Sequence, residues 1–187
     1  SSCKKREKIK LGEVTHIGHC NVRGMKKTGQ YEVMEKWMLE NNIGIMGVTE
    51  TKINTSSRVR RKNYTFYFAG KDNGEVSTEA GVGIIIRNDW IKHITDIKPQ
   101  GDRIISVTID MGIPLTIIVT YCHPATENWD RETKTAHYNQ LKLEYRKKNN
   151  KGPTIMVGDF NARAQKRLKE SEKCIGPHTF DWENTNL

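Results

Sequence analysis

The run IGIMGVTE, from Ile43 to Glu50, constrains this chain more than any other segment: it is apolar without alternation, rich in glycine and branched side chains, and preceded by Asn41 and Asn42. A strand with no polar face must be covered on both sides, which a layered α/β core provides. Further strands are expected at THIGHCNV (15–22), GVGIIIRN (81–88), RIISVTID (103–110), LTIIVTYC (115–122) and TIMVGDF (154–160). The MGIP turn from Met111 to Pro114 is short enough to close a hairpin between two of them. A helix beginning near Tyr31 places Tyr31, Met34, Trp37 and Met38 on one face and ends at Asn41 and Asn42. A second, about Arg131 to Lys148, aligns Tyr138, Leu141 and Tyr145. Hairpins alternating with crossover helices predict an α/β sandwich whose helices cover stacked sheets.

The 187 residues suit a single core. One domain is expected over residues 14–187, after a basic flexible arm over residues 1–13 that carries Lys4, Lys5, Arg6, Lys8 and Lys10. From Gln165 onward the chain reads as a long polar loop, so either that loop is functional or the chain stops before its fold does. No stretch approaches the roughly 18 apolar residues of a membrane span, and the N-terminal charges have no apolar segment behind them. Four scattered cysteines form no CxxC pair. A nuclear or cytoplasmic, non-secreted protein with no membrane partner is the expectation. The 31 Lys and Arg against 22 Asp and Glu leave a net charge of +9, which favours a polyanion, since each cation beside a phosphate releases a counterion.

Four of the apolar strands end in polar residues: Asn21, Glu50, Tyr121, and Asp159 with Asn161. Strand-end loops are where an α/β core gathers distant side chains at one cleft. Such a set could hydrolyse a phosphodiester. Glu50 could give carboxylate oxygen to a hard divalent cation, Asp159 could take a proton from water with Asn161 beside it, and Tyr121 and a histidine could stabilise charge on phosphorus. Each has a plainer reading: a solvated or salt-bridged Glu50, a turn at Gly158-Asp159-Phe160-Asn161, a core Tyr121, a turn-forming Asn21.

The order and context of four runs, HCNVRGM (19–25), GVTETK (47–52), VTYCHPA (119–125) and VGDFNA (157–162), resemble the endonuclease/exonuclease/phosphatase family. The likeness is strongest to the apurinic-type endonuclease domain of non-LTR (LINE-like) retrotransposons. It covers about Thr15 to Ala162, with a weaker echo at Ile175 to Phe180. It implies a DNase I-like four-layer α/β sandwich, incomplete at its C-terminus, that cuts phosphodiesters with Mg²⁺ or Mn²⁺. It further implies that Glu50, with Asn21, lies at the metal, that Tyr121 contacts the scissile phosphate, that Asp159 aligns or deprotonates the attacking water, and that Asn161 binds the phosphate. DNA is the implied partner, together with a reverse transcriptase domain in the same full-length polypeptide.

Arg23 stands where several DNA-repair relatives carry an acidic residue, a difference the retroelement members share. Cys122 and His123 separate Tyr121 from Pro124, one residue more than the commoner spacing. The family's downstream Asp and Asp-His pair have no counterpart after Asn161, where His178 and Asp181 lie in another context. A truncated and weakly active or inactive nuclease is therefore expected. The alternatives are a phosphatase for small or lipid phosphate esters and a non-catalytic nucleic-acid-binding remnant. Arg23, Lys52, Arg163 and His123 are the expected DNA contacts, and Arg58, Arg60, Arg61 and Lys62 read equally as a solvated loop or a phosphate track.

Overall fold

Each apolar run forms a strand in the computed structural model, which describes residues 15–71, 80–123, 129–149 and 152–162. In chain order the described strands and α-helices are β1 (His16–Asn21), α1 (Gln30–Glu40), β2 (Ile43–Thr49), β3 (Ser57–Arg60), β4 (Tyr64–Ala69), β5 (Val82–Arg87), β6 (Ile94–Gln100), β7 (Ile104–Asp110), β8 (Pro114–Tyr121), α2 (Arg131–Asn149) and β9 (Thr154–Asp159), with a 3-10 turn at Asn88–His93 between β5 and β6. They build two sheets, ordered β1-β2-β5-β4-β3 and β6-β7-β8-β9. β2 is buried at every residue, as an apolar run without alternation requires. The hairpin at Met111 to Pro114 joins antiparallel β7 and β8. SSRVRRK, expected as a loop, instead supplies the edge strand β3, whose Arg58 pairs with Tyr67 of β4.

The two inner faces meet in a dry layer containing Ile45, Val82, Ile84 and Ile86 from one sheet and Ile105, Val107, Ile117 and Val119 from the other. Gly47 makes the closest approach possible: a Cβ there would lie 2.8 Å from Val157 Cγ2 and 2.9 Å from Val119 Cγ2. On the outer side of the first sheet, Met38 of α1 packs with Met46, Val48, Phe66, Phe68 and Ile85. On the outer side of the second, α2 lays Leu141 against Ile104 and Ile118. The order of layers is thus helix, sheet, sheet, helix. This is the four-layer α/β sandwich.

The helix faces differ from the apolar pattern in an instructive way. On α1, Trp37 remains 46% exposed while Glu35 is buried, because the steps of about 100° per residue put position 35 nearer the centre of the face holding 31, 34 and 38. Glu35 is tolerated there because its Oε1 accepts the backbone N–H groups of Asn63 and Tyr64 at 2.9 and 3.1 Å. On α2 the buried side chains are His137, Leu141, Glu144 and Lys148, with Tyr138 and Tyr145 left exposed. Beside Ile104 and Ile118, the outer face of the second sheet also offers hydroxyls: Ser106 Oγ donates to Glu144 Oε1 at 2.7 Å, and Thr120 Oγ1 lies 3.2 Å from His137 Nε2. Polar helix residues match that surface, and Lys148 completes it by bridging Asp96 and Glu144.

Burial, with His123 and Arg103 nearby, pushes the His137 imidazole down to about 4. The unfolded chain takes up that proton near pH 6.5 while the folded chain resists it. Stability is therefore full above pH 6.5 and falls as the pH drops toward 4. The expected loss from this one group is on the order of 2–3 kcal/mol. Urea unfolding at pH 7 and pH 4.5 checks it: His137→Gln is expected to lower stability at pH 7 while flattening the acid-side loss.

Candidate active site

Two parallel strand pairs aim the polar residues at one place. β1 runs parallel to β2 across α1, and β8 runs parallel to β9 across α2. The C-terminal ends of both pairs open on the same rim, one pair from each sheet. Asn21 ends β1 opposite Thr49, and Glu50 follows immediately. Tyr121 ends β8 opposite Asp159 at the end of β9. Paired residues of a ladder share a face, so Tyr121 and Asp159 project to the same side of their sheet.

One amide ties the two sheets together. Asn21 Nδ2 donates to Glu50 Oε1 at 2.6 Å and to Asp159 Oδ2 at 3.3 Å. Arg23 N–H donates to Asn21 Oδ1 at 3.2 Å, which fixes the nitrogen toward the carboxylates. In this arrangement Asn21 positions the two carboxylates, while its oxygen, which accepts one backbone N–H, keeps a second lone pair for the ion expected beside it. Asp159 Oδ1 accepts the Asn161 backbone N–H at 2.9 Å, and Asn161 Nδ2 donates to the Cys122 carbonyl at 2.8 Å. The Asn161 amide retains a second N–H for an incoming oxygen.

The surrounding loops are locked by a belt of backbone hydrogen bonds: Met25 N to Thr51 O, Thr51 N to Gly81 O, Lys52 N to Ala80 O, Gly81 N to Asp102 O, Tyr121 N to Arg103 O and Cys122 N to Asp159 O. Five described non-glycine residues have positive φ, and four of them are Arg23 (49°), Glu50 (54°), Lys52 (57°) and Asn161 (46°), all on this rim. Each such residue costs on the order of 1 kcal/mol, and strain of this kind persists where the surroundings over-determine it. Functional sites are where it clusters.

A cleft of about 500 Å³ lies against Asp159 and is lined by His19, Gly158, Asp159, Phe160, Asn161 and Ala162. His19 was not among the expected site residues, although its place two residues before Asn21 on one strand puts both on one face. Its Nε2 lies 3.2 Å from Thr49 Oγ1. Burial lowers its pKa and the Asp159 charge opposes that shift, so at neutral pH it is an uncharged imidazole at the cleft wall.

Tyr121 is 4% exposed, and the Arg103 guanidinium lies 5.0 Å over its ring. His123, two residues after the end of β8, packs its ring 4.4 Å from that of Trp129. Exposed Arg23 follows β1 and half-buried Lys52 follows β2, the Lys52 Cδ near Gly24. Arg163, His178, Asp181 and the basic arm fall outside the described residues.

Among the described residues no three His, Cys, Asp or Glu groups cluster as a metal cage would require. The donor set fits a different ion. Two carboxylates drawn to a single nitrogen, with no salt bridge to either among the described residues, present hard oxygens to a cation such as Mg²⁺, which keeps water and substrate phosphate in its shell. Glu50 could hold such an ion directly.

Residues 18–186 match the Endonuclease/Exonuclease/phosphatase family, and the chain belongs to it. Its fold is shared with nucleases and phosphatases, and enzymes of this family generally require a divalent metal. Among solved structures it is similar to a 3′ phosphatase from Neisseria bound to a product DNA hairpin, at 16% identity and a TM-score of 0.57 over 78% of this chain and 57% of that one. It is also similar to an AP endonuclease from Leishmania major, at 13% identity and 0.59 over 79% and 54%. A third is the human Nocturnin catalytic domain with bound sulfate, at 18% and 0.53 over 76% and 60%. The chain thus spans little more than half the length of these structures. No curated protein sequence matches it.

Proposed function

We propose that this chain carries the catalytic half-site of a divalent-metal-dependent phosphodiesterase that nicks DNA, as the endonuclease domain of a non-LTR retrotransposon does. The observation that carries the reading is the Asn21 amide shared by Glu50 and Asp159, which brings carboxylates from two sheets to one point. In this reading Glu50 holds Mg²⁺ or Mn²⁺, and the ion when bound supplies Lewis-acid polarisation of the phosphate. Asp159, fixed through both oxygens, orients a water molecule and accepts its proton. Asn161 gives its remaining amide hydrogen to a phosphate oxygen, and Tyr121 contacts the scissile phosphate. Neutral His19 offers a further hydrogen bond at the cleft wall. Arg23 and Lys52 meet the DNA backbone electrostatically.

The net charge of +9 supports DNA over a small phosphate ester. The NVRGM run supports the retroelement branch, and with it a reverse transcriptase domain in the same polypeptide and a nuclear or cytoplasmic setting. The test is conversion of supercoiled plasmid to nicked circles with Mg²⁺. Slow nicking is expected from this chain, falling a further hundredfold or more in Asp159→Asn. Nicking indifferent to that substitution, or hydrolysis confined to small phosphate monoesters, would overturn the proposal.

A further inference from the structure

Beside the carboxylates, on the β8 side of the cleft, the chain builds an aromatic and cationic shelf that extends beyond Tyr121, the one of its rings that the proposed hydrolysis uses. Half-buried Arg103, just before β7, lays its guanidinium 5.0 Å over the Tyr121 ring and 5.4 Å over that of Trp129. The His123 ring lies 4.4 Å from Trp129 at an interplanar angle of 56°, and meets His137 edge-on at 5.5 Å. His137 in turn meets Tyr138 at 5.8 Å. Trp129 is 37% and Tyr138 50% exposed. The shelf is joined directly to the site: Tyr121 is the ladder partner of Asp159, and the Cys122 carbonyl, one residue before His123, takes the Asn161 amide.

Core aromatics are buried and solitary surface aromatics stand apart. These rings are gathered, open to solvent at Trp129 and Tyr138, and backed by a cation. A nucleobase stacks on an aromatic face whatever its sequence, and arginine behind such a face strengthens the interaction. A base inside a duplex offers only its edges, so the ligand must be unpaired. We propose that Trp129, supported by Arg103 and His123, is a stacking platform for an unpaired nucleobase adjoining the scissile phosphate of a DNA strand. The inference rests on the DNA-phosphodiesterase reading of the same site and deepens it by naming the substrate class: strands that are single, frayed or mismatched beside the cut.

The experiment uses the full 187-residue chain without divalent metal, so that an inert hydrolase leaves it unaffected. Fluorescence anisotropy compares a short labelled thymidine oligonucleotide with one of the same length whose bases are all replaced by abasic tetrahydrofuran. The wild-type chain is expected to prefer the base-bearing strand by roughly 5- to 100-fold, the range of single-base stacking. Trp129→Ala is expected to remove most of that preference, Trp129→Phe to keep it, and neither to change the slope of affinity against salt, since phosphate contacts are untouched. A wild-type chain indifferent to the bases overturns the platform, as does a preference that Trp129→Ala leaves intact. The expected pattern in a chain that cuts no DNA would support the platform while contradicting the slow nicking expected of the proposed function, so the two readings fail separately.

Discussion

Glu50→Gln is expected to lower Mn²⁺ or Mg²⁺ affinity by at least about a hundredfold, because loss of an outer-shell partner alone typically costs 10- to 100-fold and this residue is the proposed direct ligand. Plasmid nicking should fall at least as far. The substitution keeps the shape of the side chain, and its amide oxygen can still accept from Asn21 Nδ2, which now donates to Glu50 Oε1 at 2.6 Å. What disappears is one of two negative charges drawn to a single nitrogen. Without metal those charges repel, so the variant's thermal midpoint should equal or exceed that of the parent chain. Metal binding followed by manganese electron paramagnetic resonance, with a melting curve on the same sample, separates this outcome from simple unfolding. Undiminished metal affinity in Glu50→Gln would remove Glu50 from the proposed ion site.

The second large effect comes from a residue with no side chain. Gly158 has φ 154°, and a Cβ built there would lie 2.0 Å from the Thr120 carbonyl oxygen. Neither atom can yield easily, since Thr120 and Gly158 are ladder partners in the β8–β9 pair. Gly158→Ala must therefore push the end of β9 away from β8, at a cost on the order of 3 kcal/mol or more, the upper range for overpacking. For a domain of this size that corresponds to a melting temperature lower by roughly 10 °C. Asp159, the next residue, would move with the strand, so nicking should be lost even at temperatures where the variant stays folded. Gly112→Ala is the control: its φ is 89° but a Cβ there meets nothing within 4 Å. It should cost only about 1–2 kcal/mol of left-handed backbone strain and leave the site intact.

Much of the scaffold was legible because β-strands buried on both faces cannot disguise themselves. Ile43–Thr49 and Pro114–Tyr121 sit where their apolar runs place them. Strands β3 and β4 were harder. Their pairing satisfies the backbone of SRVR at a sheet edge, and nothing in an exposed, arginine-rich segment distinguishes an edge strand from a loop. The helix faces were legible only in part, because apolar periodicity does not foresee a sheet whose outer surface sets threonine and serine among its isoleucines. Glu144, 1% exposed, is held by Ser106 from a strand 38 residues earlier, a partnership that no local pattern announces.

The identities of Asn21, Glu50, Tyr121, Asp159 and Asn161, and their positions at strand ends, belong to the sequence, because strand termini follow from where apolar runs stop. That Asn21 turns its nitrogen toward the carboxylates, that His19 shares their cleft, and that His123 packs on Trp129 were decided only in three dimensions. The reason is physical. Hydrogen-bond direction and ring stacking depend on which distant backbone groups compete for the same atoms, and that competition exists only once two sheets have closed upon one another.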